Sequence, residues 1–376
     1  MISILVKDHC IALRRCICKN KIYKHLILYL FFAMKRDAKF WKPLADKKVQ
    51  CNLCPHNCNI SDGKHGICGV RRNENGKLYT LIYASCSSMA ADPIEKKPLY
   101  HFYPGTNAFS LGTVGCNFKC EHCQNYSIST ATPNFSCIRE VMPEQAVELA
   151  REYGCEGIAW TYNEPTIWHE YSFDSAKLAK KDGFYTVYVT NGYINEEPLK
   201  EISQFLDAMN IDVKAFNEDF YRRICKAKLE PVLQTCERAK EMGIHIELTY
   251  LVIPGYNDSI DEVKRFCNWV VEKLGSYTPV HFSRFHPDNR MTNVPMTPME
   301  TLLRIYDTAK KTGILYPYLG NVPHGDYENT FCPNCKNLCI ERHGYSINLV
   351  GLMGNRCAKC GSAIPVVVDK YKKQKI

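Results

Sequence analysis

The chain has 376 residues, of which 45% are apolar and 23% charged: enough to bury a sizeable core, and too balanced for gross disorder. The net charge of +9 sits mostly in residues 1–36, which hold eight Lys/Arg and a single acid, Asp8. The remainder is nearly neutral, so the basic balance says little about nucleic acid. Twenty-one cysteines, many spaced Cys-x2-Cys, favour metal ligation in a reducing compartment over a secreted disulfide framework.

Residues 1–46 form an N-terminal extension. The apolar run at 25–34 is shorter than the ~20 residues that span a bilayer, so no transmembrane segment is expected. No small-residue cleavage site follows it. Met1 and Met34 are both candidate starts; a start at Met34 would make 1–33 an artefact of gene calling, and a peripheral membrane anchor is the alternative. Residues 47–107 carry Cys51-x2-Cys54-x3-Cys58-x9-Cys68, four thiols for one metal. Zinc and an auxiliary iron–sulfur cluster both fit this set, and spacing does not choose.

Residues 108–320 alternate between two patterns. Apolar, β-branched runs recur at 109–115, 157–162, 185–191, 207–213, 244–253 and 280–285. Between most of them lie helical patterns at 143–154, 174–183, 197–206, 233–243 and 261–275, several ending in Gly. This order predicts a parallel sheet covered by helices, either a partial (β/α)6 barrel or an open doubly wound sheet. Residues 321–376 hold Cys332-x2-Cys335 and Cys357-x2-Cys360, spaced like the knuckles of a zinc ribbon, and end in a basic tail. A structural Zn2+ is expected there, with Cys339 as a spare core residue.

In such a barrel the chemistry lies just after each strand. Cys116, Cys120 and Cys123 follow the first predicted strand, Glu164 the second and Asn191 the third; Asp212 and Lys214 close the fourth. Pro254–Asp258 and Ser283–Asp288 end the fifth and sixth, and His281, Arg284 and His286 are read either as near the site or as packed structural groups. Three thiolates on a four-iron cube would leave one iron without a protein ligand. Cys137 and Cys155 are further thiols without motif spacing.

Cys-x3-Cys-x2-Cys on the loop after the first strand resembles the signature of radical S-adenosylmethionine (SAM) enzymes. The resemblance implies a [4Fe–4S] cluster on Cys116, Cys120 and Cys123 whose open iron chelates SAM. One electron then yields methionine and a 5′-deoxyadenosyl radical that abstracts hydrogen from a substrate. His122 stands where the family usually has an aromatic residue. Glu164, without the family's preceding glycines, stands where a Glu meets the SAM amine. Asn191 is placed among the SAM contacts. Asp212 and Lys214 match an Asp-x-Lys pattern of pyruvate formate-lyase activase-like members. The motif order from Cys51 to Asp258 resembles the radical SAM protein of the AmmeMemoRadiSam system, which implies AMMECR-type and Memo-type partners. The chemistry implies an external electron donor, a flavodoxin or ferredoxin, and a reducing cytoplasm. The expected function is hydrogen abstraction from an unidentified substrate. A glycyl-radical-enzyme activase is the alternative, although such activases carry extra cysteines after the radical SAM motif rather than before it. A multi-metal nucleic-acid-binding or scaffold protein and a multi-cluster electron carrier are more distant readings.

Overall fold

The computed structural model describes residues 34–134, 138–323 and 325–368. The apolar run up to residue 33, the alternative starts that depend on it, Cys137 and the basic tail at 370–376 lie outside the described residues. The main sheet has eight strands: β1 (Ser88–Pro93), β2 (Asn107–Gly112), β3 (Gly157–Trp160), β4 (Tyr185–Thr190), β5 (Ala208–Asp212), β6 (His245–Val252), β7 (Val280–Arg284) and β8 (Pro317–Gly320). Each pairs with its chain neighbour. β1 is antiparallel to β2, and every later pair is parallel. β1 and β8 form the two edges and the sheet stays open. The expected count of six parallel strands is therefore corrected to seven, with an antiparallel eighth.

Helices α1 (Pro143–Glu152), α2 (His169–Lys181), α3 (Glu196–Ser203), α4 (Glu230–Glu241), α5 (Ile260–Trp269) and α6 (Met299–Thr312) fill the crossovers. Local chemistry explains their ends. Pro143 opens α1, and the Gln145 side chain accepts from the Met142 N–H at 2.8 Å. Gly154, at φ +66°, follows it in the left-handed region. Alternation splits each strand between two environments. Ile158, Trp160, Met209, Ile211, Ile246 and Leu248 join the core shared with Ala150, Ala176, Val232 and Phe266 of the helices.

The other face wraps around residues 94–106. Asn210 of β5 donates to the Pro98 carbonyl at 2.8 Å, and Glu247 of β6 accepts from the Tyr100 and His101 N–H groups at 3.0 and 2.7 Å. Tyr318 of β8 meets His101 Nε2 at 2.6 Å. Ile94, Leu99, Phe102 and Tyr103 pack there against Ala108, Ala159, Tyr185, Val187 and Ala208. This segment fills the amino-terminal end of the curled sheet and leaves the carboxyl end for chemistry. The C-terminal residues dock on its outside. The Tyr103 N–H donates to the Val367 carbonyl and the Val367 N–H to the His101 carbonyl, both at 2.8 Å, and Arg342 donates to the Tyr100 carbonyl at 2.7 Å.

Candidate metal centres

The loop after β2 is held from three sides. Asn163 accepts from the Thr113 N–H at 3.0 Å and donates to the Gly115 carbonyl at 2.8 Å. Asn117 donates to the Tyr193 carbonyl at 2.9 Å and accepts from Asn191 at 2.8 Å. The Lys119 N–H donates to the Cys225 carbonyl at 3.0 Å. Gly115 lies at φ +88°, where a side chain would be strained. An added Cβ would fall 2.7 Å from Val70 and 2.8 Å from the Cys68 carbonyl oxygen. The loop is thus pressed against the N-terminal cysteine segment.

Each thiol of the loop has a polar neighbour. The Phe118 N–H donates to Cys116 Sγ at 3.4 Å, and Cys123 Sγ lies 3.3 Å from the Ser129 hydroxyl. Cys225 hydrogen-bonds to Cys120 and, with burial, pushes its thiol up; burial raises Cys116 and Cys123. Without metal these sulfurs stay protonated, so metal binding releases protons.

Around the loop the strand ends supply charge. The carboxylate of Glu164 accepts from Thr166 N at 2.9 Å, the Thr190 hydroxyl at 2.7 Å and Asn191 N at 2.8 Å, tying the β3 end to the β4 end. Burial nonetheless raises its pKa. Lys214 pairs with Asp212 at 2.6 Å. Burial opposes the Lys214 charge, but Asp212 and the nearby Cys120 outweigh it and raise its pKa. Asn257 donates to the Lys214 carbonyl at 2.7 Å and fixes that end. His122 is lowered to about 3 by burial, so its ring is neutral. The loop after β7 covers the site: His286 lies 3.0 Å from the Gln124 amide, and Asn289 donates to the Cys120 carbonyl at 3.3 Å.

The other cysteine groups differ from each other. Cys332 and Cys360 bring their Sγ atoms to 3.6 Å, as do Cys335 and Cys357, and all four lie within 4.8 Å of one another. Tetrahedral Zn–S bonds of about 2.3 Å require S–S edges of about 3.8 Å, so this donor set fits a closed tetrahedral ion. Cys51, Cys54, Cys58 and Cys68 surround one region. Burial, then the neighbouring thiols, push the Cys54 thiol up. Burial raises the Cys58 and Cys68 thiols as well, with the backbone at His56, Ile67 and Val70 opposing the shift at Cys54, Cys58 and Cys68. Arg71 donates to Cys51 Sγ at 3.6 Å and pairs with buried Glu170.

The structure brings Cys116, Cys120, Cys123, Glu164, Asn191, Asp212 and Lys214 to one end of the sheet. It takes His281 away from that end: its Nε2 meets buried Glu247 at 2.7 Å, among Tyr100 and Tyr318. Arg284 Nε donates to the Thr297 carbonyl at 2.8 Å. Cys155 is buried near the amino-terminal end of β3, on the far side from the loop. Cys339 is a core residue of the C-terminal sheet. Sequence reasoning missed Asn163, Asn117 and Cys225. The signal for Asn163 was available, since it stands one residue before Glu164 in a polar strand end.

A family model described as "Radical SAM superfamily" matches residues 110–267. An uncharacterized protein of Methanocaldococcus jannaschii, MJ0808, is 48% identical over 335 residues, covering 89% of this chain and all of that protein. A pyruvate formate-lyase-activating enzyme of Clostridium pasteurianum is 20% identical over 46% of this chain and 72% of its own length. Among solved structures, a radical SAM methyltransferase from Sphaerobacter thermophilus is 16% identical, covers 58% of this chain and 67% of that one, and superposes with a TM-score of 0.45.

Proposed function

Because the chain belongs to the radical SAM superfamily, we propose that Cys116, Cys120 and Cys123 hold a [4Fe–4S] cluster with one iron free for SAM. Bound there and reduced by one electron, this group supplies SAM cleavage to a 5′-deoxyadenosyl radical, the chemistry general to the family. The observation that carries the reading is a loop with three thiols and no fourth motif cysteine, ringed by charged strand ends. The chain's own groups have definable work. Asn163, Asn117 and the Cys225 carbonyl hold the loop still. The Lys214 ammonium beside Cys120 favours its thiolate, which an iron ligand must be. Asp212 and Lys214 present an acid and a base partner to a zwitterionic amino acid head group. Glu164 keeps one lone-pair direction for an ammonium while spanning two strand ends. Neutral His122 and the loop after β7 keep water from the loop.

The substrate is a molecule with an abstractable hydrogen, reached at the carboxyl end of the sheet. The motif order favours the AmmeMemoRadiSam branch, with AMMECR-type and Memo-type proteins as partners, a flavodoxin or ferredoxin as electron donor and a cytoplasmic setting. Cys332, Cys335, Cys357 and Cys360 are assigned a structural Zn2+, supported by their 3.6 Å pairs. The division at 46, 107 and 320 follows the three cysteine regions. Glycyl-radical-enzyme activation is the second reading, favoured by the likeness to the Clostridium activating enzyme. The test is anaerobic reconstitution followed by dithionite and SAM. The wild type is expected to release 5′-deoxyadenosine and Cys120→Ala to release none. No release from a fully loaded, reduced wild type overturns the proposal.

A further inference from the structure

The chain displays two spacings of thiols. At the C-terminal site the sulfurs crowd as ligands of one ion do, within 4.8 Å of one another. Among the described residues these four are the ones that gather so tightly. Cys116, Cys120 and Cys123 do not form such a group; on a four-iron cube each thiolate would bind its own iron rather than share one ion. Cys51, Cys54, Cys58 and Cys68 lie close enough for their thiols to interact, yet they too are not among the groups that gather as tightly as ligands of one ion. Their donor set is all sulfur: His56 is turned away, its Nε2 held 2.8 Å from the Asn117 carbonyl. The surroundings favour an anionic centre. Arg71 is about 1% exposed and donates to Cys51 Sγ at 3.6 Å. A tetrathiolate cluster is stabilised by such a donor.

We propose that Cys51, Cys54, Cys58 and Cys68 ligate a second iron–sulfur cluster of the four-iron type, seated against the Cys116–Cys123 loop. Unlike the first, it has a protein thiolate for every iron and keeps no position for a small molecule. Its contact with the loop is direct: the Cys68 carbonyl packs on Gly115, and His56 binds the Asn117 carbonyl. Asn195, after β4, donates to the Asn52 carbonyl at 2.7 Å and seals the same seam. The comparison of spacings rests in part on the cluster reading of Cys116, Cys120 and Cys123, so the test is made where that cluster is absent.

The full chain carrying Cys116→Ala, Cys120→Ala and Cys123→Ala is purified anaerobically and reconstituted with iron and sulfide. Iron, sulfide and zinc are counted, and the iron is typed by Mössbauer spectroscopy. Relative to wild type the iron is expected to halve, leaving about four iron and four sulfide per chain, with zinc unchanged. Adding Cys54→Ser and Cys58→Ser is expected to remove that iron. Retention of the C-terminal zinc in the same sample shows that the chain has folded. A triple variant without iron, whether zinc or nothing takes its place, overturns the proposal, as does a remaining count of two iron or iron that survives the added serines. Failure of SAM cleavage by wild type would leave this count unaffected, so the two readings fail separately.

Discussion

Gly115→Ala tests the contact between the two cysteine regions. The substitution adds one methyl at φ +88°, with Val70 Cγ1 at 2.7 Å, the Cys68 carbonyl oxygen at 2.8 Å and Ile167 Cδ1 at 3.3 Å. The left-handed conformation costs about 1–2 kcal/mol for a residue with a Cβ. Crowding costs about 1–3 kcal/mol more, because one of the struck atoms is backbone and has no rotamer to escape to. The sum is about 2–5 kcal/mol, relieved in part by moving the loop off Cys68. Gly154→Ala is the control. It sits at φ +66° with nothing within 4 Å of the added Cβ, so it carries the backbone cost alone, about 1–2 kcal/mol. Urea unfolding midpoints of the metal-loaded proteins, read with their iron content, separate the two costs. Gly115→Ala is expected to be the less stable variant and to lose iron at the loop. If it matches Gly154→Ala in midpoint and iron, the loop does not press on the N-terminal segment and the described seam is wrong.

Other expectations follow from single contacts. Asn163→Ala strips the partners from the Thr113 N–H and the Gly115 carbonyl, at about 1–3 kcal/mol each; 5′-deoxyadenosine formation should fall at least about tenfold, and an unchanged rate would remove Asn163 from the positioning of the loop. His101 is lowered to about 3 by burial, with Arg342 and His245 adding to the shift and Glu247 opposing it. Its folded value lies below its unfolded one, so its contribution is constant above pH 6.5 and declines as pH falls below that. The decline is about 2 kcal/mol between pH 6.5 and 5. His101→Gln should flatten the urea midpoint against pH over that window, and an identical slope in both proteins would refute the assignment. Cys335→Ser should take zinc from one per chain to none, giving up part of the ~10–16 kcal/mol typical of such sites. Limited proteolysis should then cut within 332–362 while loop iron stays constant; resistance equal to wild type would count against a structural ion.

The six inner parallel strands, β2 to β7, were legible because each is largely buried on both faces and reads as a continuous apolar run. Val187 and Tyr188 face opposite sides of the sheet and are both fully covered. β1 and β8 were not legible. Ser88–Pro93 is mostly small residues apart from Met89 and ends in Pro, and Pro317–Gly320 is four residues long with only Tyr318 and Leu319 between Pro and Gly. Only an edge position tolerates such strands, and edges are a property of the assembled sheet. α2 begins at His169 rather than near 174 because Glu164 caps a turn led by Pro165 that feeds directly into it. The cysteine loop could be read from spacing alone. Its supports could not: Cys225 lies about a hundred residues away, and only the fold brings it to Cys120. That Cys332, Cys335, Cys357 and Cys360 are the four that gather tightly among the described residues was likewise invisible in spacing, since the backbone sets where the sulfurs lie.

The segment at 94–106 has a consequence for traffic. Phe102, Tyr103 and Leu99 stopper one end of the curled sheet, and the Glu247–His281 pair with Tyr318 fills the space above them. With that end filled, nothing reaches the strand-end residues from below: a ligand of Glu164, Asn191 or Lys214 approaches from the carboxyl end or past the open edges β1 and β8.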